Sequence, residues 1–446
     1  MANPSSNGQE PTSPPSRLPV MFRALRHRNY RLFFSGQIIS LVGTWMQSVA
    51  QSWLVYRLTG SSLLLGLVGF AGQIPVFLMA PIGGVVADRY SRHRIVIATQ
   101  SSSMVLAFIL SALTLLGHIR VWEIMVLASL LGVVNAFDIP ARQAFIVDMV
   151  ASNDLINAIA LNSSMVNGAR VLGPAIAGIT VAAVGEGWCF FGNAVSYIAV
   201  IIGLLLMIVP RRQDRRDSTS GLVRIAEGFR WVAKTAPIRA LLLLLGLVSV
   251  TGMPYAVLMP IFADKILHGG ARGLGILMGA SGVGALAGTL MLAAKREVHG
   301  LGQWITFATF GFGASMILFA SSRSYPLSVV LLVPVGFSMM LQMSSSNTLI
   351  QTMVPDELRG RVMAVYSMMF MGLAPFGALI AGAIANHIGA PITVALGGFT
   401  CLAGSLVFGS RWRFMRSEAR QLIVAQGLLS GEPSSEMTSQ AVAVEK

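Results

Sequence analysis

Long apolar runs separated by short polar turns set the pattern of this chain. Stretches free of Asp, Glu, Lys and Arg cover 32–56, 58–87, 95–119, 187–210, 240–263, 273–294, 298–322, 324–355 and 362–410. A helix needs about 20 apolar residues to cross a bilayer. The last run is long enough for two spans, divided between His387 and Pro391. The segments 121–140 and 157–184 also read as spans, although each holds charge. Twelve membrane-spanning helices are therefore predicted. Only helices or closed barrels satisfy the backbone in lipid, and the short alternating segments of a barrel are absent. The predicted fold class is an all-α polytopic membrane protein.

The pattern repeats. A shift of 204 positions, without a gap, brings Gly132 onto Gly336, Gly168 onto Gly372, Gly173 onto Gly377 and Gly178 onto Gly382. Single identities between apolar segments mean little; aligned glycines over one ungapped stretch mean more. They relate the fourth and fifth spans to the tenth and eleventh, as in transporters built from two parallel six-helix repeats. The expected organisation is a disordered N-terminus at 1–20, a first half at 21–209, a linker at 210–238, a second half at 239–410 and a tail at 411–446. Within the linker, Phe229 and Val232 fall at helical spacing, with Glu227, Arg230 and Lys234 on other faces. Such an amphipathic helix either lies on a membrane surface or is a solvated connector.

Composition agrees: hydrophobic residues are 54% and charged residues 11% of the chain. The net charge of +14 raises the question of nucleic acid. Its distribution answers it. Basic residues fall at 17–31, 89–94, 211–239, 295–296, 359–361 and 411–420, all on one side if the spans alternate. The other side holds only Arg57, Arg120, Lys265, Arg272 and Arg323. This is the positive-inside asymmetry, and it puts both termini and the linker in the cytoplasm. Nucleic-acid binding is not expected. Cys189 and Cys401 lack metal-ligand spacing and read as small core residues. No cleavable signal peptide is expected, because the first residues lack an apolar segment.

The turn after the second span joins an acid to a cluster of arginines: Gly84, Asp88, Arg89, Arg92 and Arg94. Topology explains the arginines but not Asp88. A carboxylate at that place can accept hydrogen bonds from a helix N-terminus. The eleventh span starts near Asp356 on the same side. Docking Asp88 there would latch the two halves while a cavity faces outward, and Gly84 would let helices approach closely. The corresponding turn of the second half, Lys295-Arg296-Glu297, has no matching Asp-Arg pair.

This turn resembles the loop signature of the major facilitator superfamily, with Ser91 and His93 where the signature has Gly and a basic residue. The stretches from Phe22 to Phe34, from Asn135 to Phe145, from Asn157 to Ser163 and from Arg170 to Gly178 are similar to its drug:proton antiporter-3 branch. The resemblance covers about 20–415. It implies that Asp138 joins the loop arginines in a charge relay, and that Gly173-Pro174 matches part of a fifth-span motif associated with antiport, which favours export.

Other candidates rest on the residues. Asp138 and Arg142 are one turn apart and can pair; a plain surface pair is the alternative. Arg170 lies near mid-bilayer, where an ionisable residue faces a cavity or a partner; a carbonyl, a substrate anion or a water would serve. Gly275, Gly279, Gly282, Gly284 and Gly288 equip the eighth span for close packing, with the fifth span as the expected neighbour. Gln47 and Asn347 are expected to line a cavity. Glu123, Asp138 and Asp264 are the candidates for proton coupling.

The function that follows is secondary active, proton-coupled efflux of an amphipathic small molecule by alternating access across a bacterial cytoplasmic membrane. Its partners would be the substrate, protons and the lipid bilayer, with the protein a monomer. A same-fold importer or uniporter is the alternative. A polytopic enzyme would need a catalytic cluster, and the sequence holds no H-E-x-x-H, G-x-S-x-G or P-loop pattern. No cofactor or metal is expected.

Overall fold

The computed structural model describes residues 20–208, 221–294 and 300–426, and those residues form helices and turns without a strand. The first half comprises α1 (Arg28–Thr59), α2 (Ser62–Arg89), α3 (Arg92–Leu115), α4 (Val121–Met149), α5 (Leu155–Val184) and α6 (Glu186–Leu205). The linker holds α7 (Gly221–Lys234). The seventh span is α8 (Ala236–Leu247) and α9 (Tyr255–Ile261), with π-helical turns at Val248–Gly252 and Phe262–Ile266. Then come α10 (Gly270–Ala294), α11 (Leu301–Ser321) and α12 (Tyr325–Met353). The eleventh span is α13 (Asp356–Ser367) and α14 (Ala374–Ile388), joined by a π-turn at Met368–Gly372, and α15 (Ala390–Ala425) closes the bundle.

Among the described residues, 11 helical segments are long and apolar enough to cross a membrane. The remaining expected span, α1, is 32 residues long but more polar, since Gln37, Ser40, Thr44, Gln47, Ser48 and Gln51 lie along it. Gln37, Ser40 and Gln47 are buried where α1 packs on α5 and α6, whereas Thr44 and Ser48 are exposed. Many large apolar side chains elsewhere, among them Leu78, Phe307 and Leu406, are left uncovered by protein. That is the surface expected where lipid is the solvent.

The two halves pack by the same plan. In the first half α2 lies on α4, α1 on α6 and α3 on α6; in the second, α10 lies on α12, α8 on α15 and α11 on α15. The aligned glycines occupy matching contacts. A Cβ at Gly173 would collide with Trp45 Cβ of α1; one at Gly377 would lie 2.6 Å from the Val250 carbonyl oxygen of the seventh span. A Cβ at Gly178 would lie 2.8 Å from Gly275 Cα of α10, and one at Gly382 2.6 Å from the Ser62 carbonyl oxygen of α2. The second pair of contacts joins the halves, α5 to α10 and α2 to α14. The eighth span thus packs on the fifth as expected, with Gly275 and Gly282 facing α5 while Gly284 and Gly288 face α12.

Three expectations change. The linker helix α7 is not a free solvated connector. It docks on α13: Gly228 abuts the Arg361 backbone, Glu227 pairs with Arg361 at 3.0 Å, and Val232 is buried beside Leu358 and Val362. The last helix does not end at 410 but runs to Ala425, burying Trp412, Ala419 and Ile423. Gly84 meets nothing within 4 Å; its neighbour Gly83 makes the close approach, against the Ala136 carbonyl of α4. Cys189 and Cys401 are buried, as expected of core residues. The expected disordered N-terminus, the basic run from Arg211 to Arg216, the Lys295-Arg296-Glu297 turn and the end of the tail lie outside the described residues.

Candidate functional site

The charged turn sits at the end of the bundle that also holds Asp148, Asp356 and α7, here called the basic face. Asp88 is 76% exposed and lies 3.8 Å from Arg92. It is not docked at the N-terminus of α13. Arg92 is the hub of the turn: its guanidinium donates to the Ala144 carbonyl at 3.0 Å and meets Asp148 at 3.3 Å, tying the α2–α3 turn to α4. Arg89 and Arg94 are exposed. Across the face, Arg359 pairs with Asp356 and Arg361 with Glu227. Asp148 was missed by reading the sequence, although it sits at the same end of its span as Asp138.

Asp138 is not half of a surface pair. It is 4% exposed and its carboxylate accepts three hydrogen bonds, from Thr99 Oγ1 at 2.8 Å, Gln100 Nε2 at 3.0 Å and Arg142 Nε at 2.9 Å. A buried charge is tolerable only when it is paired and hydrogen-bonded in this way. A second buried acid, Asp154, pairs with Arg26 at 2.7 Å and His27 at 2.8 Å, while Asn157 Oδ1 accepts from the Ala24 amide at 2.8 Å. The stretches beginning at Phe22 and at Asn157, separate in sequence, are therefore one structural unit.

At the opposite face, Tyr56 of the first half donates to Asp264 of the second at 2.8 Å. The π-turn at Phe262–Ile266 carries both Asp264 and Lys265, and the Lys265 Nζ lies 6.0 Å from the Tyr56 ring centre. Turns of this kind are frequent at functional positions because the extra residue re-aims side chains. Arg57 holds the buried Glu186 within the first half at 2.7 Å. Glu123 is committed to its own helix, accepting from the Arg120 amide at 2.8 Å. The close contacts between halves at Gly66–Gly382 and Gly178–Gly275 also lie toward this face, so the bundle is closed there, while Asp88 at the other face is exposed and pairs only within its own half, with Arg92.

Between the faces, Arg170 sits halfway along the 30-residue α5. Its guanidinium lies over the Trp45 ring, 5.2 Å from the centre. Gly173 admits Trp45 to this position, and Pro174, lacking an amide hydrogen, leaves the Arg170 carbonyl without its α-helical donor. Among the described residues no carboxylate pairs with Arg170, and its Nε is buried without a hydrogen bond. An Arg at the centre of a span costs about 2.5–3.5 kcal/mol on insertion scales.

Gln47, expected at a cavity wall, instead faces the interior of the first half, where Asn193 of α6 donates to its Oε1 at 2.7 Å. The Asn193 side-chain oxygen in turn accepts from Ser196 Oγ at 3.3 Å, so the pair is held inside the first half. Asn347 is half-buried on α12 and accepts from Gln351, one turn on.

With this geometry in view, a family model described as "Transmembrane secretion effector" matches residues 20–438. The chain belongs to that family. It is a branch of the major facilitator superfamily, and its members are transporters rather than enzymes. The Staphyloferrin A transporter of Staphylococcus aureus is 26% identical over 381 residues, spanning 85% of this chain and 95% of that protein. The multidrug efflux pump Tap of Mycolicibacterium fortuitum is 27% identical, spanning 78% of this chain and 87% of Tap. Among solved structures, the nucleoside transporter NupG matches with a TM-score of 0.66 at 15% identity, over 86% of this chain and 98% of that one. At that identity the structural likeness speaks for the fold alone.

Proposed function

We propose that this protein exports an amphipathic small molecule through a bacterial cytoplasmic membrane by proton-coupled alternating access, with its basic face in the cytoplasm. The observation that carries the mechanism is the asymmetry of closure. The halves meet at the opposite face through Tyr56–Asp264 and the glycine contacts, while at the basic face Asp88 is exposed and paired only with Arg92 of its own half. In the alternative state Asp88 docks at the N-terminus of α13, as a latch, and the opposite face opens. Export as the direction draws on relatives named as efflux and siderophore transporters. The monomer, the cytoplasmic termini and the domain boundaries outside the described residues belong to the same reading.

Of the three carboxylates proposed for coupling, Asp264 fits best. Asp138 is held by Arg142 and Glu123 by its helix cap, whereas the partner of Asp264 lies on the other half and leaves when the halves part. Flux in vesicles with an imposed pH gradient tests the reading: substrate leaving the basic-face compartment against proton entry supports it, and gradient-driven movement in the other direction overturns it. Asp264→Asn is expected to abolish gradient-driven accumulation while leaving downhill exchange in place; accumulation at the wild-type level removes Asp264 from the coupling step. Asp88→Asn is expected to cut flux by about tenfold or more at normal expression, because a latch worth about 1.4 kcal/mol per factor of ten is lost. Unchanged flux leaves the basic-face latch without support.

A further inference from the structure

We infer that Arg170 is the recognition point for an acidic group on the transported molecule, so that the substrate class is an amphipathic anion whose charged group adjoins a flat apolar portion. This rests on the transport reading above and names the chemistry of its substrate.

The argument starts from charge balance. The buried carboxylates of the described structure are matched: Asp138 by Arg142, Asp154 by Arg26, and Glu186 by Arg57. Arg170 is the buried cation left over. It makes no ion pair or hydrogen bond to a described residue, and its Nε, closed off from solvent, has no acceptor. A guanidinium offers five donors in a planar fork that suits a carboxylate. An unfilled fork in a low-dielectric setting is a strong anion acceptor, because the charge is already there and partly stripped of water.

Position makes this a substrate site rather than a local defect. Arg170 lies at the seam of the two halves. A Cβ at Gly282 of α10 would stand 3.2 Å from the Arg170 carbonyl oxygen, and Ser281, beside Gly282, holds Tyr255 of the seventh span, hydroxyl to hydroxyl at 2.8 Å. An anion bound at Arg170 would therefore sit on the helix turn where the two halves meet, a place from which a substrate can bias their rocking. On the other side Trp45 presents its ring at 5.2 Å. The indole lies alongside any flat apolar group attached to the anion, and the cation above it favours a planar partner over a bulky one.

Binding of three probes of equal size to the full-length protein in phosphatidylcholine nanodiscs tests the inference: 1-naphthoate, 1-naphthalenemethanol and 1-naphthylmethylammonium. The wild type is expected to bind the naphthoate at least about tenfold more tightly than the alcohol and to disfavour the ammonium, in line with one charge-assisted bidentate contact. Arg170→Gln is expected to erase the preference for the anion, Arg170→Lys to keep part of it, and Trp45→Ala to weaken the anion and the alcohol alike. Thermal unfolding of each variant checks that it is folded. Should Arg170→Gln fail to fold, the wild-type order and the Lys variant still decide. A wild type that binds naphthoate no better than the alcohol overturns the inference, as does a folded Arg170→Gln that keeps the preference. Wild-type export of the cation ethidium, together with naphthoate binding no tighter than that of the alcohol, upholds transport and overturns the anion site. Arg170-dependent naphthoate binding with no gradient-driven flux of any probe upholds the site and removes the transport reading instead.

Discussion

Asp138→Asn is expected to lower the thermal stability of the protein more than any other single charge change in the first half. The carboxylate accepts from a hydroxyl, an amide and a guanidinium, all of them donors. Asparagine has the same shape but presents an NH2 group to one of those donors and leaves Arg142, itself mostly buried, without a counter-ion. Breaking a buried pair from one side costs about 3–5 kcal/mol, whereas replacing both partners is often close to neutral. The double change Asp138→Asn with Arg142→Gln is therefore expected to recover most of the lost melting temperature. Fluorescence-detected size-exclusion melts of the single and double variants read this directly. A double variant no more stable than the single one would show that Arg142 is not what makes the loss costly. Flux in the stable double variant then separates the roles: flux still about tenfold low assigns the pair a part in the transport cycle, and wild-type flux makes it purely structural.

Gly178→Val is expected to produce the second large effect, and a different one. The added Cβ would stand 2.8 Å from Gly275 Cα, 3.1 Å from Gly275 N and 3.2 Å from the Ala271 carbonyl oxygen. All three are backbone atoms, so no side-chain rotation relieves the contact. Overpacking of this kind costs about 1–3 kcal/mol. The cost falls only on the state in which α5 and α10 touch, so it shifts the balance between states by about 5–150-fold. The repeat supplies a twin: Gly382→Val on α14 strikes the Ser62 carbonyl of α2 and is expected to act in the same direction. Spin labels at His118 and Arg323, on exposed turns of the opposite face, report the outcome. The inter-label distance is expected to lengthen in both variants while flux falls. Distance distributions identical to wild type would mean that these glycines do not control closure.

Much of the architecture was legible because its causes are local. A bilayer of fixed thickness makes each apolar run a helix of known length, and a glycine every three or four residues marks a packing face. The pairing of the fifth and eighth spans followed from that alone. What was illegible turns on rotation. Successive residues on a helix are about 100° apart, so Gly83 packs on α4 while Gly84 stands clear, and only the tilt of α2 selects between them. Gln47 looked like a cavity residue because an amide in a span needs a partner; that the partner is Asn193, 146 positions away, depends on how α1 and α6 meet. The helix α15 passed its apparent end because one face of it beyond 410, with Trp412, Ala419 and Ile423, packs on protein.

By itself the sequence determined the spans, their two-fold repetition and the side on which basic charge collects, since each follows from what a bilayer permits in any one segment. It also located the few charges within the spans. The tertiary structure decided which of them are matched. Along the chain Asp138 has Arg142 one turn away and Arg170 has no acid at its depth; in the bundle the first gains two more donors, from Thr99 and Gln100, and the second finds no acceptor. Hydrogen bonds and ion pairs act over a few ångströms between helices distant in sequence, so only the packed bundle could bring the α3 donors to Asp138 and leave Arg170 open.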